Sequence, residues 1–277
     1  MIPLHEFRGI YPDIHQQKVA EFFQPTADEL AAGERELAEA LAALKGFYVI
    51  GFTNRCGSNF LAQSLASEGR LQQAGEPLNH DVVANQSTKL GLKSYPAFLA
   101  SIVKRGSGKS GVFGCKASAG QLIGLYNAGV LHQVKDKLTL IHIARQNVME
   151  QAVSMLIASR TLRWTSKQPG VEAPVEFDGD VLTAILENIC RQNAALRALF
   201  ELFQVEPVPV QYERLVEDPV KVVRRVGRHL GLPNLRYVPE KVTFEKQADD
   251  LNSELLKQWT SMYALGVPRA APAAAEE

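Results

Sequence analysis

The sequence has no excess of charge of either sign, because 30 lysines and arginines balance 30 aspartates and glutamates. A chain without net charge gives no reason to expect binding to nucleic acid or to an anionic membrane. It also lacks an apolar run approaching the roughly 18 residues of a membrane-spanning helix. Its first residues lack the apolar core of a signal peptide. We therefore expect a cytoplasmic protein with no integral membrane segment and no nucleic-acid partner.

Cysteine is scarce, and its three positions are odd in number and widely spaced: Cys56, Cys115 and Cys190. No cluster of cysteine and histidine accompanies them, which argues against a disulfide framework and gives no support for a metal site. The rest of the composition is ordinary, with 46% apolar and 22% charged residues over 277 positions. Such a chain can bury a sizeable core, as a soluble enzyme does.

Apolar runs alternate with helical patterns along the chain. Four runs predict strands that are covered on both faces: 47–52, 112–116, 138–144 and 208–212. Helical patterns lie near 58–68, 94–105, 146–163, 180–205, 218–231 and 249–264. The alternation predicts an α/β fold, with a P-loop-like parallel β-sheet sandwiched by helices in a single domain.

The expected organisation has three parts. Residues 1–46 form an N-terminal arm and a helix packed on the main body, with a capping box from Thr26 to Glu29. Residues 47–265 form the main domain, and 266–277 a disordered tail. Two segments inside the domain are expected to be irregular, 70–93 and 165–179. The second is rich in proline and glycine, which fits a lid or a surface loop equally well.

The stretch 53-TNRCGSN-59 follows the first strand and has the layout of a phosphate-binding loop without its Walker pattern. Ser58 follows Gly57 directly, with no lysine between them, and Arg55 stands two residues before the glycine. Gly57 would let the backbone approach an oxyanion. Ser58 and Asn59 open a helix whose N–H groups favour negative charge. The alternative is an ordinary strand–helix turn with an N-capping serine.

Two further segments carry polar side chains where strands or helices end. Arg145 directly follows the strand 138–144, and Ser154 lies on the next helix, so both could bind a phosphate. The alternative is a solvated arginine and a serine inside a helix. Trp164 fits either a core position or a ligand platform. The turn 74-AGEPLNHD-81 presents polar side chains that fit either a transferred group or a hydrated turn around Pro77.

Taken together, these segments resemble the bacterial carbohydrate sulfotransferases of the trehalose 2-sulfotransferase type, within the wider family that uses 3′-phosphoadenosine-5′-phosphosulfate. The resemblance covers roughly residues 47 to 263. The matching segments are 55-RCGSN-59, 75-GEP-77, 141-IHIARQNVMEQAVS-154, Thr161 to Trp164, and 247-QAD-249.

The resemblance implies transfer of a sulfuryl group from 3′-phosphoadenosine-5′-phosphosulfate to a hydroxyl of a carbohydrate or similar polar acceptor, without a metal ion. This donor has no β- and γ-phosphates for a Walker lysine to bind. The 5′-phosphosulfate would be held by the loop residues Arg55, Cys56, Gly57, Ser58 and Asn59. The 3′-phosphate would be held by Arg145 and Ser154.

Two positions depart from the family pattern. Cys56 stands where the family usually has serine or threonine. Asn79 stands at the glutamate of the family's G-x-P-x-E turn, and a carboxamide does not accept a proton at ordinary pH. A base must then come from a neighbour: His80, which Asp81 could orient, is the first candidate, and Glu76 on the other side of Pro77 is the second.

Two other functions stay open at this stage. A small-molecule kinase would need the missing lysine, and the block from Arg145 to Ser154 also argues against it. A catalytically silent nucleotide-binding protein is suggested by Asn79. The sequence names neither the small-molecule or glycan acceptor nor the oligomeric state, and a homodimer is one possibility.

Overall fold

A computed structural model of the chain describes residues 14–164, 169–171, 174–243 and 250–265. They fall into two compact units, and one of the divisions between these, at Leu186 and Glu187, lies inside the long helix 179–203. We call residues 14–146 and 187–243 the sheet unit, and the other described residues the helical unit. The Q-A-D match at 247–249 and the expected tail from 266 lie outside the described residues. No helix among the described ranges is long and apolar enough to cross a membrane.

Four parallel strands form the sheet in the described part of the chain. They are β1 (Gly46–Gly51), β2 (Val112–Ala117), β3 (Leu138–Ala144) and β4 (Val208–Gln211). Their order is β2-β1-β3-β4, so the chain moves to one side of β1 and then returns to the other. The predicted α/β class with a parallel sheet flanked by helices is confirmed.

Helices follow and precede each strand. The first seven are α1 (Ile14–Phe22), α2 (Ala27–Ala42), α3 (Ser58–Ala66), α4 (His80–Leu90), α5 (Tyr95–Gly106), α6 (Ala119–Asn127) and α7 (Val130–Gln133). Then come α8 (Val148–Thr161), α9 (Gly179–Phe203), α10 (Tyr212–Glu217), α11 (Pro219–His229) and α12 (Asp250–Ser261). In the helical unit, α12 packs on α8 and buries Leu255 and Trp259.

The core of the sheet unit lies on both faces of the sheet, as the continuous apolar runs predict. Side chains alternate along β1: Phe47 and Val49 join a cluster with α2, α5 and α6. Tyr48 and Ile50 join a second cluster with α3 and α11. A strand buried on both faces has no polar face, which explains why its sequence shows no alternation.

The N-terminal helices α1 and α2 contact the rest of the sheet unit. Helix α2 packs along α5, and its capping box from Thr26 to Glu29 is present as expected. Lys137 donates hydrogen bonds to the carbonyls of Leu41 (2.7 Å) and Leu44 (2.9 Å) at the end of α2. Helix α1 contacts α4 and α6.

Five of the helices that the structure describes were not predicted: α1, α4, α6, α7 and α10. The prediction that 70–93 is irregular is wrong for 80–90, which form α4 and end at Gly91 in the left-handed region (φ 67°). Only Val83 and Ser87 are buried on α4, so it has no apolar stripe to detect. Helix α6 was not predicted because six of its nine positions are buried, which weakens the helical periodicity. Its capping box, Ser118 to Gln121, was legible in the sequence.

Candidate donor and acceptor site

All four strand ends contribute to one edge of the sheet unit. The loop 53–57 follows β1, Lys116 lies at the end of β2, Arg145 follows β3, and Tyr212 follows β4. Because the strands are parallel, their carboxyl ends meet at the same edge, where open α/β sheets bind ligands. The direction of the connections also reverses at β1. This edge is therefore the candidate site.

The loop after β1 has an unusual backbone at two positions. Arg55 (φ 66°) and Gly57 (φ 90°) both occupy the left-handed region, which a side chain disfavours. A Cβ atom at Gly57 would also overlap the ring of Tyr212. Glycine is thus required at position 57 by conformation and by packing. As the N-cap of α3, Gly57 brings no side-chain hydrogen bond to the first turn of that helix.

Cys56 lies within this loop but points into the core. It is fully buried in the cluster with α3 and α11, and burial raises the pKa of its thiol to about 11. Its N–H donates to the carbonyl of Thr53 at 3.3 Å, which closes the turn. The change from serine or threonine at position 56 therefore alters core packing.

Two guanidinium groups lie near the loop. The guanidinium of Arg145 lies over the ring of Tyr212, at 5.0 Å from its centroid. Burial lowers the pKa of Arg55, and the charge of Arg145 lowers this pKa further, against the opposing effect of Tyr212. The two positive charges of Arg55 and Arg145 repel each other where they are partly desolvated, and a bound anion would reduce this repulsion. The structure thus brings together two of the residues that the sequence predicted for donor binding.

The segment after β3 is fixed by residues that follow or end β4. The N–H of Gln146 donates to both carboxylate oxygens of Glu213, at 3.1 Å each. Gln211 Nε2 donates to Gln146 Oε1 at 3.0 Å. These bonds hold the backbone next to Arg145 against the start of α10, where Tyr212 lies.

A buried lysine links the loop to the turn 75–77. We call Lys116, Glu76 and Asn59 the lysine cluster. Lys116 Nζ donates to Glu76 Oε1 at 2.7 Å and to Asn59 Oδ1 in the first turn of α3. The Lys116 side chain is 4% exposed, whereas that of Glu76 is 40% exposed. The N–H of Lys116 also donates to the carbonyl of Gly75 at 2.7 Å, which docks the turn on the outer edge of β2.

Asn79 begins helix α4. Its Oδ1 atom accepts a hydrogen bond from the N–H of Asp81 at 3.0 Å, as an N-cap residue does. Asn79 is thus a capping residue at the place where the family pattern has glutamate.

His80 belongs to a second group of polar side chains, which we call the histidine cluster: His15, Lys18, His80 and Asp81. The Nδ1 atoms of His80 and His15 are 2.7 Å apart. Lys18 Nζ lies 3.1 Å from His80 Nε2, and Asp81 Oδ1 lies 3.4 Å from the same nitrogen. In one tautomer Nε2 accepts from Lys18, and in the other it donates to Asp81. In both, each ring nitrogen of His80 has a partner within the chain.

The remaining predicted residues lie in the helical unit. Ser154 is half-buried within α8, and its contact with a phosphate stays a prediction. Trp164 follows the end of α8 and is 36% exposed. No group of three or more metal-ligating histidines, cysteines or carboxylates occurs in the ranges that the structure describes.

Sequence reasoning missed several residues of the two clusters and the loop: His15, Lys18, Lys116 and Tyr212. Lys116 ends an apolar strand, where a lysine usually reaches solvent, so its burial had no local signal. Tyr212 directly follows the strand 208–211, so the rule that placed Arg145 at the sheet edge would have placed Tyr212 there too.

Comparison with known proteins shows the family to which the chain belongs. The family model of the Stf0 sulphotransferases matches residues 47–263. The chain belongs to this family. The resemblance deduced from the loop, the 141–154 block and the G-E-P turn is thereby confirmed.

A curated relative shows how far the similarity extends. The chain is 31% identical to a trehalose 2-sulfotransferase of Mycolicibacterium smegmatis over 137 residues. This match covers 48% of the chain and 51% of the relative, so it spans about half of either protein.

Proposed function

We propose that the chain transfers a sulfuryl group from 3′-phosphoadenosine-5′-phosphosulfate to a hydroxyl of a carbohydrate or similar polar acceptor. The observation that carries this proposal is the pair Arg55 and Arg145, held with Tyr212 at a loop that lacks the Walker lysine. Two guanidinium groups suit a donor whose phosphates are separated by a nucleoside. Family membership supports the reaction class.

On the donor side, the loop and the start of α3 would bind the 5′-phosphosulfate. The first N–H groups of a helix lie outside its own hydrogen-bond ladder, and Gly57 places no side chain over them. Arg55 would add a charge-assisted contact there. Arg145 would bind the 3′-phosphate, and the contact of Ser154 with that phosphate stays a prediction from the sequence. Cys56, buried in the core, would shape the loop instead of presenting its thiol to the donor.

The chemistry assigned to the site is an in-line displacement at sulfur. The acceptor oxygen forms a bond to sulfur while the bond from sulfur to the 5′-phosphate oxygen breaks, and 3′,5′-diphosphoadenosine leaves. The acceptor's proton passes to a base. The protein's contribution is positioning, stabilisation of the charge on the leaving phosphate, and proton acceptance.

For the base, the contacts favour Glu76 over His80. The carboxylate of Glu76 is 40% exposed and is linked through Lys116 to the loop of the proposed donor site. Each ring nitrogen of His80 already has a partner in the histidine cluster, so proton acceptance from a substrate would break one of these contacts. We therefore assign proton acceptance to Glu76, with His80 as the second candidate.

A trehalose-like sugar is the first acceptor to test, because the curated relative is a trehalose 2-sulfotransferase. The residues that would set acceptor choice include the start of α4, directly after the turn that carries Glu76. A carbohydrate or similar polar hydroxyl compound is the class expected.

One observation favours a second candidate function. Asn79 serves as a helix cap at the position where the family pattern has glutamate. A protein that binds the nucleotide but transfers nothing would also tolerate asparagine there. Gain of activity in Asn79→Glu from an inactive natural protein would support that candidate.

Calorimetry with 3′,5′-diphosphoadenosine tests the donor assignment directly. We expect this product to bind and to raise the melting temperature, because a ligand selective for the folded state stabilises it. ATP with Mg²⁺ should stabilise the protein far less. Equal stabilisation by the two ligands, or none by either, would contradict the proposal.

A further inference from the structure

Lys116 is a buried cation with a defined pair of acceptors, and neither the family match nor the pattern of the loop assigns it a role. Its side chain is 4% exposed, and its ammonium lies 5.4 Å from the centroid of Phe52, the residue that follows β1. A buried charge is retained only where partners compensate its desolvation. Here the partners are the carboxylate of Glu76 and the carboxamide of Asn59.

These two acceptors belong to different parts of the proposed site. Asn59 lies in the first turn of α3, where the donor's phosphosulfate would bind, and Glu76 is the proposed base. They are brought together through the lysine at the end of β2, which pairs with Ile50 of β1 in the sheet. A strand is a rigid support for such a link, since its position is fixed by hydrogen bonds on the β1 side and by Gly75 on the other.

We propose that Lys116 is a positioning residue that holds the carboxylate of Glu76 in register with the donor loop. This inference rests on the proposed sulfuryl transfer. The ammonium has three N–H donors, and two acceptors among the described residues use two of them. Glu76 itself is 40% exposed, so without Lys116 its carboxylate would be free to turn toward solvent.

The consequence is a defined kinetic pattern. In Lys116→Met, Glu76 can still accept a proton, but its carboxylate is no longer held in position. Displacement of a base by about 1 Å slows the reaction roughly 10²-fold. Glu76→Gln removes the proton acceptor but keeps an oxygen for Lys116. The double variant should then be no slower than Glu76→Gln alone, because residues that act as a unit give non-additive losses.

The matched control is Lys137→Met. Lys137 is also a lysine of the sheet unit with two strong acceptors, but these are backbone carbonyls at the end of α2. We expect Lys137→Met to lower the melting temperature and to leave kcat unchanged. Lys116→Met should instead cause a large loss in kcat, and the Kd for 3′,5′-diphosphoadenosine measured by calorimetry should be unchanged. That Kd also shows that the variant is folded.

The cycle is measured as kcat and KM for wild type, Lys116→Met, Glu76→Gln and the double variant. Losses that multiply in the double variant would overturn the inference, as would a Kd for 3′,5′-diphosphoadenosine that weakens as much as kcat falls in Lys116→Met. The latter result would mean that Lys116 contacts the donor itself. Absence of turnover in the wild type, with any acceptor, would instead overturn the proposed function and the inference with it.

Discussion

The lysine cluster includes Glu76, which precedes Pro77 in the sequence, and the histidine cluster includes His80 and Asp81, which follow it. The two clusters have different partners. Glu76 pairs with a lysine of the sheet that also contacts the donor loop. His80 pairs with His15 and Lys18, which belong to α1. Lys116, the cation of the lysine cluster, is buried. In the histidine cluster the cation Lys18 is exposed, and the side chain of Asp81 is 76% exposed.

This difference separates two groups that look equivalent in the sequence. Both Glu76 and His80 are titratable, close to the family's glutamate position and three or fewer residues from it. Only Glu76 has partners that continue to the loop of the candidate site. We therefore propose that the lysine cluster takes part in catalysis and that the histidine cluster attaches α1.

The largest expected effect is on turnover. Glu76→Gln should lower kcat by about 10²–10⁴-fold, because the reaction loses its proton acceptor. His80→Ala should stay within a few-fold of wild type, like the matched control His229→Ala on α11. Steady-state kinetics on the best acceptor measure both. A large loss in His80→Ala with intact Glu76→Gln would reverse the assignment of the two clusters.

The next effect concerns the donor side of the same edge. Arg145→Ala should weaken binding of 3′,5′-diphosphoadenosine by about 2–3 kcal/mol, as expected for a desolvated charge-assisted contact to the 3′-phosphate. Binding of 5′-AMP, which lacks this phosphate, should change little. Arg214→Ala is the control, because this exposed arginine pairs with Glu217 of the same helix.

Equal weakening of both nucleotides in Arg145→Ala would count against the assignment. It would show that the arginine supports the ring of Tyr212 or contacts the adenosine.

A smaller effect is on folding stability. Glu76→Ala leaves the buried ammonium of Lys116 without its carboxylate, and should lower the free energy of unfolding by about 2 kcal/mol. Glu76→Gln should lower it much less, since Gln Oε1 still accepts from Lys116. Asp81→Ala in the histidine cluster should change it by about 0.5 kcal/mol or less, because exposed ion pairs contribute little. Urea unfolding compares the three, and equal losses would erase the contrast between the clusters.

The smallest effect is confined to α1. His15→Ala removes the contact with His80 Nδ1 and should lower the free energy of local opening of α1 by about 1 kcal/mol. Hydrogen exchange should quicken over residues 14–22 and stay unchanged in β1. Turnover should not fall. Slower turnover at unchanged exchange would mean that the histidine cluster takes part in the reaction.

The sequence predicted those parts of the fold whose signal is local. Continuous apolar runs predicted all four strands within one residue. The signal is clearest in β1, where every position is buried and the sequence therefore shows no polar alternation. Helix α4 was missed since its buried face is only Val83 and Ser87. The weak helical periodicity of α4 becomes visible only when Asn79 is recognised as the N-cap of this helix.

The candidate site was predictable to the same extent. Arg55, Gly57 and Arg145 follow strands and were placed by the rule that parallel strand ends meet. Lys116 was missed because its role depends on Glu76 and Asn59, which are 40 and 57 positions away. Such pairings are set by packing, and no spacing in one sequence encodes them.

The most direct test of the central claim is a mass-spectrometric assay with 3′-phosphoadenosine-5′-phosphosulfate and trehalose among a panel of sugars. The natural protein should form a sulfated sugar and release 3′,5′-diphosphoadenosine in equal amounts. Glu76→Gln should bind the same nucleotide and form almost no product. Donor binding without any sulfated product in the natural protein, together with sulfation by Asn79→Glu, would contradict the account and indicate a nucleotide-binding protein.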